Sequence, residues 1–287
     1  MNKWILGARP RTLPAAVVPV LVGVAICIGE DSAQWSRAPL ALLVSLLLQV
    51  GVNYANDYSD GVRGTDDVRV GPMRLVASGA AEPRLVKRAV FITFGVAAII
   101  GLYLALVTTW VVLLVGVAAL LAGWFYTGGK NPYGYMGLGE VFVFVFFGLV
   151  ATVGSTYVVL ERIPGMAWLQ GCAVGGLACS LLVVNNLRDI PTDAVVGKRT
   201  LAVRLGDSKT RVLFQVLVLG GIACGLMAAF SNPWSVLVSL SLWPAVAPVR
   251  KVRAGAKGRE LIEVLADTGK VQLIFGLLTA VAFALRG

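Results

Sequence analysis

Long apolar runs separated by short polar segments extend over almost the whole chain. A helix needs about 20 mostly apolar residues to cross the hydrocarbon core of a bilayer. On that criterion the pattern predicts nine transmembrane helices, at about 13–29, 39–57, 85–107, 109–126, 137–160, 166–188, 210–230, 233–249 and 261–285. The prediction is therefore an all-α polytopic membrane protein, with residues 1–287 forming one transmembrane domain.

Composition supports this prediction and restricts the chemistry. Of the 287 residues, 57% are hydrophobic and 14% are charged, and the mean hydropathy is +0.82. Soluble domains carry about 25% charged residues, so this chain lacks the polar surface that water requires. The sequence contains no histidine, which excludes histidine-ligated haem or zinc and Ser-His-Asp triads. Any chemistry must use carboxylates, amides, Lys, Arg and Tyr.

Basic residues are distributed asymmetrically between the predicted loops. Of the 25 Lys and Arg residues, 21 fall on one face of the nine-helix arrangement. Positively charged loops stay in the cytoplasm, so the pattern predicts a cytoplasmic N-terminus and an outside C-terminus in a multi-pass protein of the inner cell membrane. On this interpretation the net charge of +10 reports topology and does not indicate nucleic-acid binding.

The second predicted helix ends in a polar string, NYANDYSDGVRGTDD, at residues 53–67. Offsets of three and four place four of its side chains on one stripe of the helix end: Asn53, Asn56, Asp57 and Asp60. Gly61 and Gly64 allow the chain to turn, and such a turn would bring Asp66 back toward the stripe.

A second string, NNLRDIPTDAVVGKRT, follows the sixth predicted helix at residues 185–200. Asn185, Asp189 and Asp193 are spaced by four, as neighbours on one helix face are. Pro191 disfavours helix at the residue before it, which favours a loop position for Asp193. The second string therefore resembles the first in both composition and spacing.

The two strings also correspond at a constant offset of 132 residues: Val52, Asn53 and Asp57 match Val184, Asn185 and Asp189. This match predicts two related halves, about 1–130 and 131–287, each of which delivers an acidic motif to the cytoplasmic membrane boundary. Because the match is short, a chance correspondence is the alternative.

Six of the chain's 15 acidic residues lie in these strings, with Arg and Lys between them. One interpretation is that Asn, Asp and Gly merely form turns. Carboxylates at the end of an apolar helix are costly, however, and need a partner or a function. Mg²⁺ prefers oxygen ligands and is commonly held by one or two carboxylates plus phosphate oxygens. A lipophilic diphosphate bound through Mg²⁺, with basic residues covering its remaining charge, fits both strings and their apolar surroundings.

An allylic diphosphate at such a site would ionise, because metal ions and basic residues stabilise the leaving diphosphate. The allylic cation requires a dry cavity lined with aromatic rings, since water would otherwise capture it. Trp124, Phe125 and Tyr126 end the fourth predicted helix on the same face as the two strings. An electron-rich aromatic acceptor then attacks through carbon, a reaction that needs no imidazole base.

Six segments carry a resemblance to a known family: ARPRTLPAAVVPV (8–20), NDYSDGVRGTD (56–66), RLVASG (74–79), YTGG (126–129), GLGE (137–140) and NNLRDIPTD (185–193). On these motifs the chain resembles the UbiA superfamily of intramembrane aromatic prenyltransferases over nearly its full length. It is most similar to the branch that prenylates 1,4-dihydroxy-2-naphthoate. The branch that prenylates 4-hydroxybenzoate instead has the last Asp of the first motif at the position of Gly64.

The resemblance implies nine helices around a central cavity, dependence on Mg²⁺, and a polyprenyl diphosphate donor. It implies transfer of the polyprenyl chain to 1,4-dihydroxy-2-naphthoate, with loss of CO2 and diphosphate, to give demethylmenaquinone. The implied metal ligands are Asn56, Asp60, Asp66, Asp189 and Asp193. The implied supporting residues are Asn53, Asp57 and Asn185, with Arg188 on the diphosphate. Tyr126 resembles the family tyrosine near the reacting carbon.

Four further basic residues are predicted to contact the diphosphate or the acceptor: Arg11, Arg63, Lys130 and Lys198. For Arg11 the alternative is a cytoplasmic anchor in contact with membrane lipids. Relatives often have Pro or an apolar residue in place of Lys130, which weakens its assignment.

Two other functions stay open at this point. A UbiA-type transferase with a different aromatic acceptor would carry the same motifs. A secondary transporter would also show buried polar residues and internal repeats, but its binding groups would lie near the middle of the membrane. The acidic residues of this chain cluster at one predicted face, which favours the enzyme.

Overall fold

The computed structural model describes residues 2–65 and 73–286, and no strand occurs in those parts of the chain. Eleven α-helices are present in the described residues: α1 Lys3–Gly7, α2 Pro14–Ala25, α3 Ala38–Val62, α4 Pro83–Leu106, α5 Trp110–Phe125, α6 Gly139–Val143, α7 Ala151–Leu160, α8 Gly165–Val195, α9 Leu201–Leu226, α10 Leu242–Arg253 and α11 Arg259–Ala284. A π-helical segment, Phe144–Val150, joins α6 to α7, and 3-10 turns at Met227–Phe230 and Pro233–Ser241 lie between α9 and α10. The all-α prediction is confirmed.

Six helical segments in the described residues are long and apolar enough to cross a membrane: Trp35–Val62, Pro83–Leu106, Gly139–Leu160, Gly165–Val195, Leu201–Phe230 and Arg259–Ala284. A seventh results if Lys3–Thr12 and Pro14–Ala25, which meet at 54°, form one broken span. The protein is therefore multi-pass, but the count of nine spans is not confirmed. The 16 residues of α5 extend about 24 Å at 1.5 Å per residue, less than the ~30 Å hydrocarbon core.

Helix ends differ from the sequence predictions at both polar strings. α3 continues to Val62 and α8 continues through Pro191 to Val195. Asp193 is therefore helical, and the loop position favoured by Pro191 is wrong. A proline removes only one i→i−4 bond, and the 31-residue α8 retains its ladder on both sides of that point.

α8 is the central helix of the bundle, and small residues bring its neighbours close. A Cβ added to Gly176 would lie 3.3 Å from the Cα of Gly221 in α9. On the other side of α8, a Cβ added to Gly148 would lie 2.5 Å from the Cα of Gly175. Close backbone approach at small residues is the usual way in which membrane helices pack, because lipid gives little hydrophobic driving force.

Polar groups gather at two opposite ends of the bundle. One end carries Asp60, Tyr135 and Lys198, which contact one another, and we call it the polar end. The opposite end is tied by ion pairs from Arg37 to Glu161 and from Arg162 to Glu30.

Candidate active site

A cavity of about 1160 Å³ opens between the helices and has mostly apolar walls. Eight residues of α3 line it in one stripe: Ala41, Val44, Ser45, Leu48, Gln49, Val52, Asn53 and Asn56. The spacing of three and four is that of a single helix face. Since Ala41 and Asn56 lie about 22 Å apart along the helix axis at 1.5 Å per residue, the cavity is at least about that long in the direction of α3.

The wall of the cavity changes from apolar to polar toward the polar end of the bundle. The groups there come from both predicted strings and from the N-terminal segment: Arg9, Arg11, Asn53, Asn56, Arg74, Tyr126, Asn185 and Arg188. One cavity therefore joins the two strings.

The amides of the first string connect neighbouring segments. The side-chain amide of Asn53 donates to the main-chain oxygen of Ala8 at 2.8 Å and to Thr12 Oγ1 at 3.2 Å. The Asn56 Oδ1 accepts from Thr127 Oγ1 at 2.9 Å. Asn53 thus fixes the N-terminal segment against α3, while Asn56 presents an amide oxygen at the cavity wall.

Asp57 is fully buried and holds the segment that precedes α4. Its Oδ2 accepts from the main-chain N–H of Leu75 at 2.8 Å, and its Oδ1 accepts from that of Val76 at 3.0 Å. Both carboxylate oxygens therefore bind main-chain donors of that loop, an arrangement that fixes the loop on α3.

Asp60 is buried at the polar end between a phenol and an ammonium group. Its Oδ1 accepts a short hydrogen bond from Tyr135 Oη and lies 3.1 Å from Lys198 Nζ. Lys198 Nζ also lies 4.7 Å from the centroid of the Tyr135 ring, and Arg63 Cζ lies 5.4 Å from the same centroid. Tyr135 therefore joins the C-terminal end of α3 to the segment between α8 and α9.

The charges of this cluster influence one another. Burial raises the pKa of the Tyr135 hydroxyl, and the negative charge of Asp60 raises it further. Burial alone would lower the pKa of Lys198, but Asp60, Tyr135 and Asp193 outweigh burial and leave that pKa raised. Lys198 therefore stays protonated and Tyr135 keeps its proton at neutral pH.

The second string forms a buried ion pair on α8. Arg188 Nε donates to Asp189 Oδ1 at 2.7 Å, and Nη2 donates to Asp189 Oδ2 at 2.8 Å. Nη2 also donates to Asn185 Oδ1 at 2.9 Å. The guanidinium is thereby held in one orientation at the cavity wall.

Asp193 lies near Asp60 through their shared neighbour, Lys198. The main-chain oxygen of Asp193 accepts from the Lys198 N–H at 2.9 Å, and the charge of Asp193 acts on the Lys198 ammonium. The two strings therefore meet at one end of the bundle. Asp66 lies outside the described residues, so its predicted return toward the stripe stays a prediction.

The remaining basic residues occupy different environments. Arg63 donates to the main-chain oxygens of Thr127 and Gly129. Arg11 is exposed and lines the cavity. Lys130 is exposed and does not belong to the cavity wall.

Aromatic rings form a continuous wall from the polar end into the cavity. Tyr126 contacts Tyr133 edge-on with centroids 5.5 Å apart, and Tyr133 stacks on Phe142 at 3.9 Å. Phe142 in turn stacks with Phe146 at 6.1 Å. The faces of such rings stabilise a cation, and Tyr126 belongs to this wall and lines the cavity.

Two residues at the polar end were missed by the sequence analysis as functional groups. Tyr135 carries no charge and lies outside both strings. Glu140 is buried and accepts from Asn186 Nδ2 at 3.0 Å, which ties the start of α6 to the second string. Glu140 is the last residue of the GLGE motif, residues 137–140, and that motif could have indicated it as a functional residue.

Among residues 2–65 and 73–286, no group of three or more Asp, Glu or Cys side chains is close enough to hold a metal by itself. Mg²⁺ does not need such a group, because it usually takes one or two carboxylates and completes its octahedron with phosphate oxygens and water. Oxygens of Asn56, Asp60 and Asp193 at the polar end are hard donors of this kind. The residues present therefore fit Mg²⁺ bound together with a phosphate ligand.

The Tyr135→Phe variant is expected to lose about 10- to 100-fold in kcat/KM, because one hydrogen bond to a charged group contributes about 1.5–3 kcal/mol. The loss should appear mainly as a higher Mg²⁺ concentration for half-maximal rate, because Asp60 loses the donor that orients it. Tyr54→Phe is the control, since it removes a hydrogen bond of 2.9 Å to the main-chain oxygen of Trp4 instead. Equal Mg²⁺ dependence in both variants would remove Tyr135 from the site.

Comparisons with known proteins agree over nearly the whole chain. The model of the UbiA prenyltransferase family matches residues 16–260. The chain is 48% identical to a 1,4-dihydroxy-2-naphthoate octaprenyltransferase from Mycobacterium tuberculosis, over 98% of this chain and 97% of that protein. It is 35% identical to a protein of the same name from Escherichia coli, over 96% and 92% of the two chains.

Solved structures share the fold. An apo UbiA homologue from Aeropyrum pernix K1 gives a TM-score of 0.73 at 15% identity, over 93% of this chain and 97% of the other. A UbiA homologue from Archaeoglobus fulgidus bound to GPP and Mg²⁺ gives 0.70 at 16% identity, over 99% and 100%.

The fold and the site define a class of protein: a multi-pass, all-helical membrane protein with a deep apolar cavity that ends in amide, phenol and guanidinium groups. The chain belongs to the UbiA prenyltransferase family.

Proposed function

We propose that this protein transfers a polyprenyl chain from polyprenyl diphosphate to 1,4-dihydroxy-2-naphthoate, with loss of CO2 and diphosphate, to give demethylmenaquinone. The observation that carries the proposal is the cavity, which combines a polar end built from both strings with a long apolar part. The names of relatives at 48% and 35% identity support the naphthoate acceptor and the polyprenyl donor.

We infer that the diphosphate binds at the polar end, where cationic groups are already oriented. Asp189 and Asn185 hold Nε and Nη2 of Arg188, and Nη1 makes no hydrogen bond to any residue in the described part of the chain. Lys198 supplies a second positive charge beside Asp60. Such preoriented charges stabilise the leaving diphosphate more than mobile water does.

The same end suits Mg²⁺, and the structure of a family member with GPP and Mg²⁺ supports this cofactor. Bound Mg²⁺ would supply Lewis-acid stabilisation of the leaving diphosphate. Asn56, Asp60, Asp66, Asp189 and Asp193 are the proposed ligands. Asp189 also holds Arg188, so it fixes a cation as well as offering an oxygen.

The aromatic wall protects the allylic carbon from water. Tyr126 and Tyr133 begin this wall beside the polar end, and Phe142 continues it. The rings exclude water and present π faces to the developing positive charge. The acceptor then attacks through its ring carbon, and the departure of its carboxylate as CO2 restores aromaticity, so no basic side chain has to remove a proton from that carbon.

We propose that the protein crosses the inner cell membrane nine times. On this proposal the polar end of the bundle faces the cytoplasm. The distribution of 21 basic residues on the predicted cytoplasmic side supports this orientation. The offset of 132 residues between the strings supports two halves, about 1–130 and 131–287.

The test uses purified protein in lipid nanodiscs with Mg²⁺, octaprenyl diphosphate and 1,4-dihydroxy-2-naphthoate. The expected result is release of CO2 and formation of a prenylated naphthol, both abolished by EDTA. Product from 4-hydroxybenzoate but not from the naphthoate would assign another aromatic acceptor. Absence of turnover with every aromatic acceptor, together with coupled ion flux in vesicles, would make the protein a transporter.

A further inference from the structure

An apolar cluster forms part of the cavity wall on the side of the bundle opposite the polar end. Leu104 of α4, Val112 of α5 and Val158 of α7 pack in this cluster, together with Ala41 of α3. A cavity-lining glycine lies one helical turn from each of the first three. Gly101 precedes Leu104 by three residues, Gly116 follows Val112 by four, and Gly154 precedes Val158 by four.

Helix packing does not explain these three glycines. A Cβ added to Gly101, Gly116 or Gly154 would meet no heavy atom within 4 Å. At Gly148 and Gly176, by contrast, a neighbouring backbone lies in contact. Glycine is also the least favourable residue of a helix interior except proline. The absent side chains therefore leave space in the cavity itself.

The depth of this glycine level follows from helix geometry. Tyr126 and Gly116 are ten residues apart on one helical path, which corresponds to about 15 Å. On α3, Val44 lies one turn from Ala41 of the apolar cluster, as the glycines lie one turn from their own cluster residues. By the same measure, Asn56 and Val44 are about 18 Å apart. Two helices thus place the glycine level about 15–18 Å from the polar end.

A polyprenyl tail would reach this depth with its third or fourth isoprene unit. Three backbone bonds of an extended polypeptide span about 3.3–3.6 Å, so the four main-chain bonds of an isoprene unit span about 4–5 Å by the same scaling. Two units would end well before the glycines, and four would pass them.

We propose that Gly101, Gly116 and Gly154 set the length of the prenyl donor that the protein accepts, by leaving room for the third and later isoprene units. The proposal rests on the proposed function, since it concerns the tail of the same donor. Leucine at these positions would fill the space and force longer tails to bend or leave the cavity.

The experiment compares geranyl, farnesyl, geranylgeranyl and octaprenyl diphosphates with wild type, Gly116→Leu and Gly154→Leu. We expect both variants to retain the wild-type kcat/KM for the geranyl donor. Their kcat/KM for the octaprenyl donor should fall at least about tenfold, as expected when the burial of two or more CH₂ groups is lost. Gly116→Ala and Gly154→Ala should give intermediate ratios.

Gly95→Leu on α4 and Gly220→Leu on α9 are matched controls. Each glycine also has open space at its Cβ position but does not line the cavity. Their donor ratios should equal that of wild type. Equal octaprenyl-to-geranyl ratios in cavity and control variants would overturn the proposal.

A second readout separates this proposal from the proposed function. The increase in Tm that each donor produces, measured without acceptor, reports donor binding, and the difference between donors with the same diphosphate reports the tail. In the wild type, the increase in Tm should grow from the geranyl to the octaprenyl donor. In Gly116→Leu, the increase should stop growing beyond the farnesyl donor. This pair of results would support the glycine assignment even if no acceptor were turned over. The same growth in variant and wild type would contradict it.

Discussion

The Asp60→Asn variant is expected to lose at least about 10²–10³-fold in kcat, the usual cost of removing one preoriented group that stabilises developing charge. Asparagine keeps the size of the side chain and an oxygen for Tyr135 but removes the negative charge. That charge attracts Lys198, 3.1 Å away, and would attract Mg²⁺. The measurement is single-turnover rate at saturating donor, acceptor and Mg²⁺.

Asp267→Asn is the matched control for Asp60→Asn. Asp267 also pairs with lysines, Lys270 at 2.9 Å and Lys251 at 3.7 Å, but it lies on α11 away from the cavity wall. Its kcat should equal that of wild type. A kcat for Asp60→Asn within about threefold of the control would exclude Asp60 from the chemistry.

The Arg188→Met variant is expected to lose about 3–5 kcal/mol of stability, because it leaves Asp189 charged and buried without its main partner. Both side chains of the pair are less than a tenth exposed. Asp189→Leu should cost a similar amount by leaving Arg188 buried. The measurement is the free energy of unfolding in mixed micelles, with a correspondingly lower Tm.

The double variant Arg188→Met with Asp189→Leu separates stability from function. Replacing both members of a buried ion pair by apolar residues is often neutral for stability, so the double variant should unfold close to wild type. Its turnover should nevertheless be lost, because the diphosphate would lose the Arg188 cation and Mg²⁺ would lose the Asp189 oxygen. A stable double variant with wild-type kcat would show that the pair is purely structural.

The helices could be predicted from apolar runs, but their ends could not. The observed α5, Trp110–Phe125, lies within the predicted 109–126. α3 and α8 instead continue five to seven residues beyond their predicted ends, to Val62 and Val195. Hydrophobicity marks where lipid surrounds a helix, whereas the backbone hydrogen-bond ladder continues into polar sequence.

The polar strings could be recognised as a site, because acidic residues beside apolar runs demand a reason. The local partner of each residue could not be predicted. Asp57 and Asp60 are three residues apart, yet one binds main-chain N–H groups of Leu75 and Val76 while the other binds Tyr135. These contacts cross 18 to 75 positions of sequence, and no local pattern encodes them.

The most direct test is diffraction from crystals soaked with Mn²⁺ and a thiolo analogue of geranyl diphosphate that cannot ionise readily. We expect anomalous peaks at the polar end, with metal–oxygen distances slightly longer than the ~2.0–2.1 Å of Mg²⁺. Ligands should come from both strings, with Asp60 and either Asp189 or Asp193 on metals that share one diphosphate. Metal bound to one string alone, or a diphosphate outside the cavity, would contradict the account.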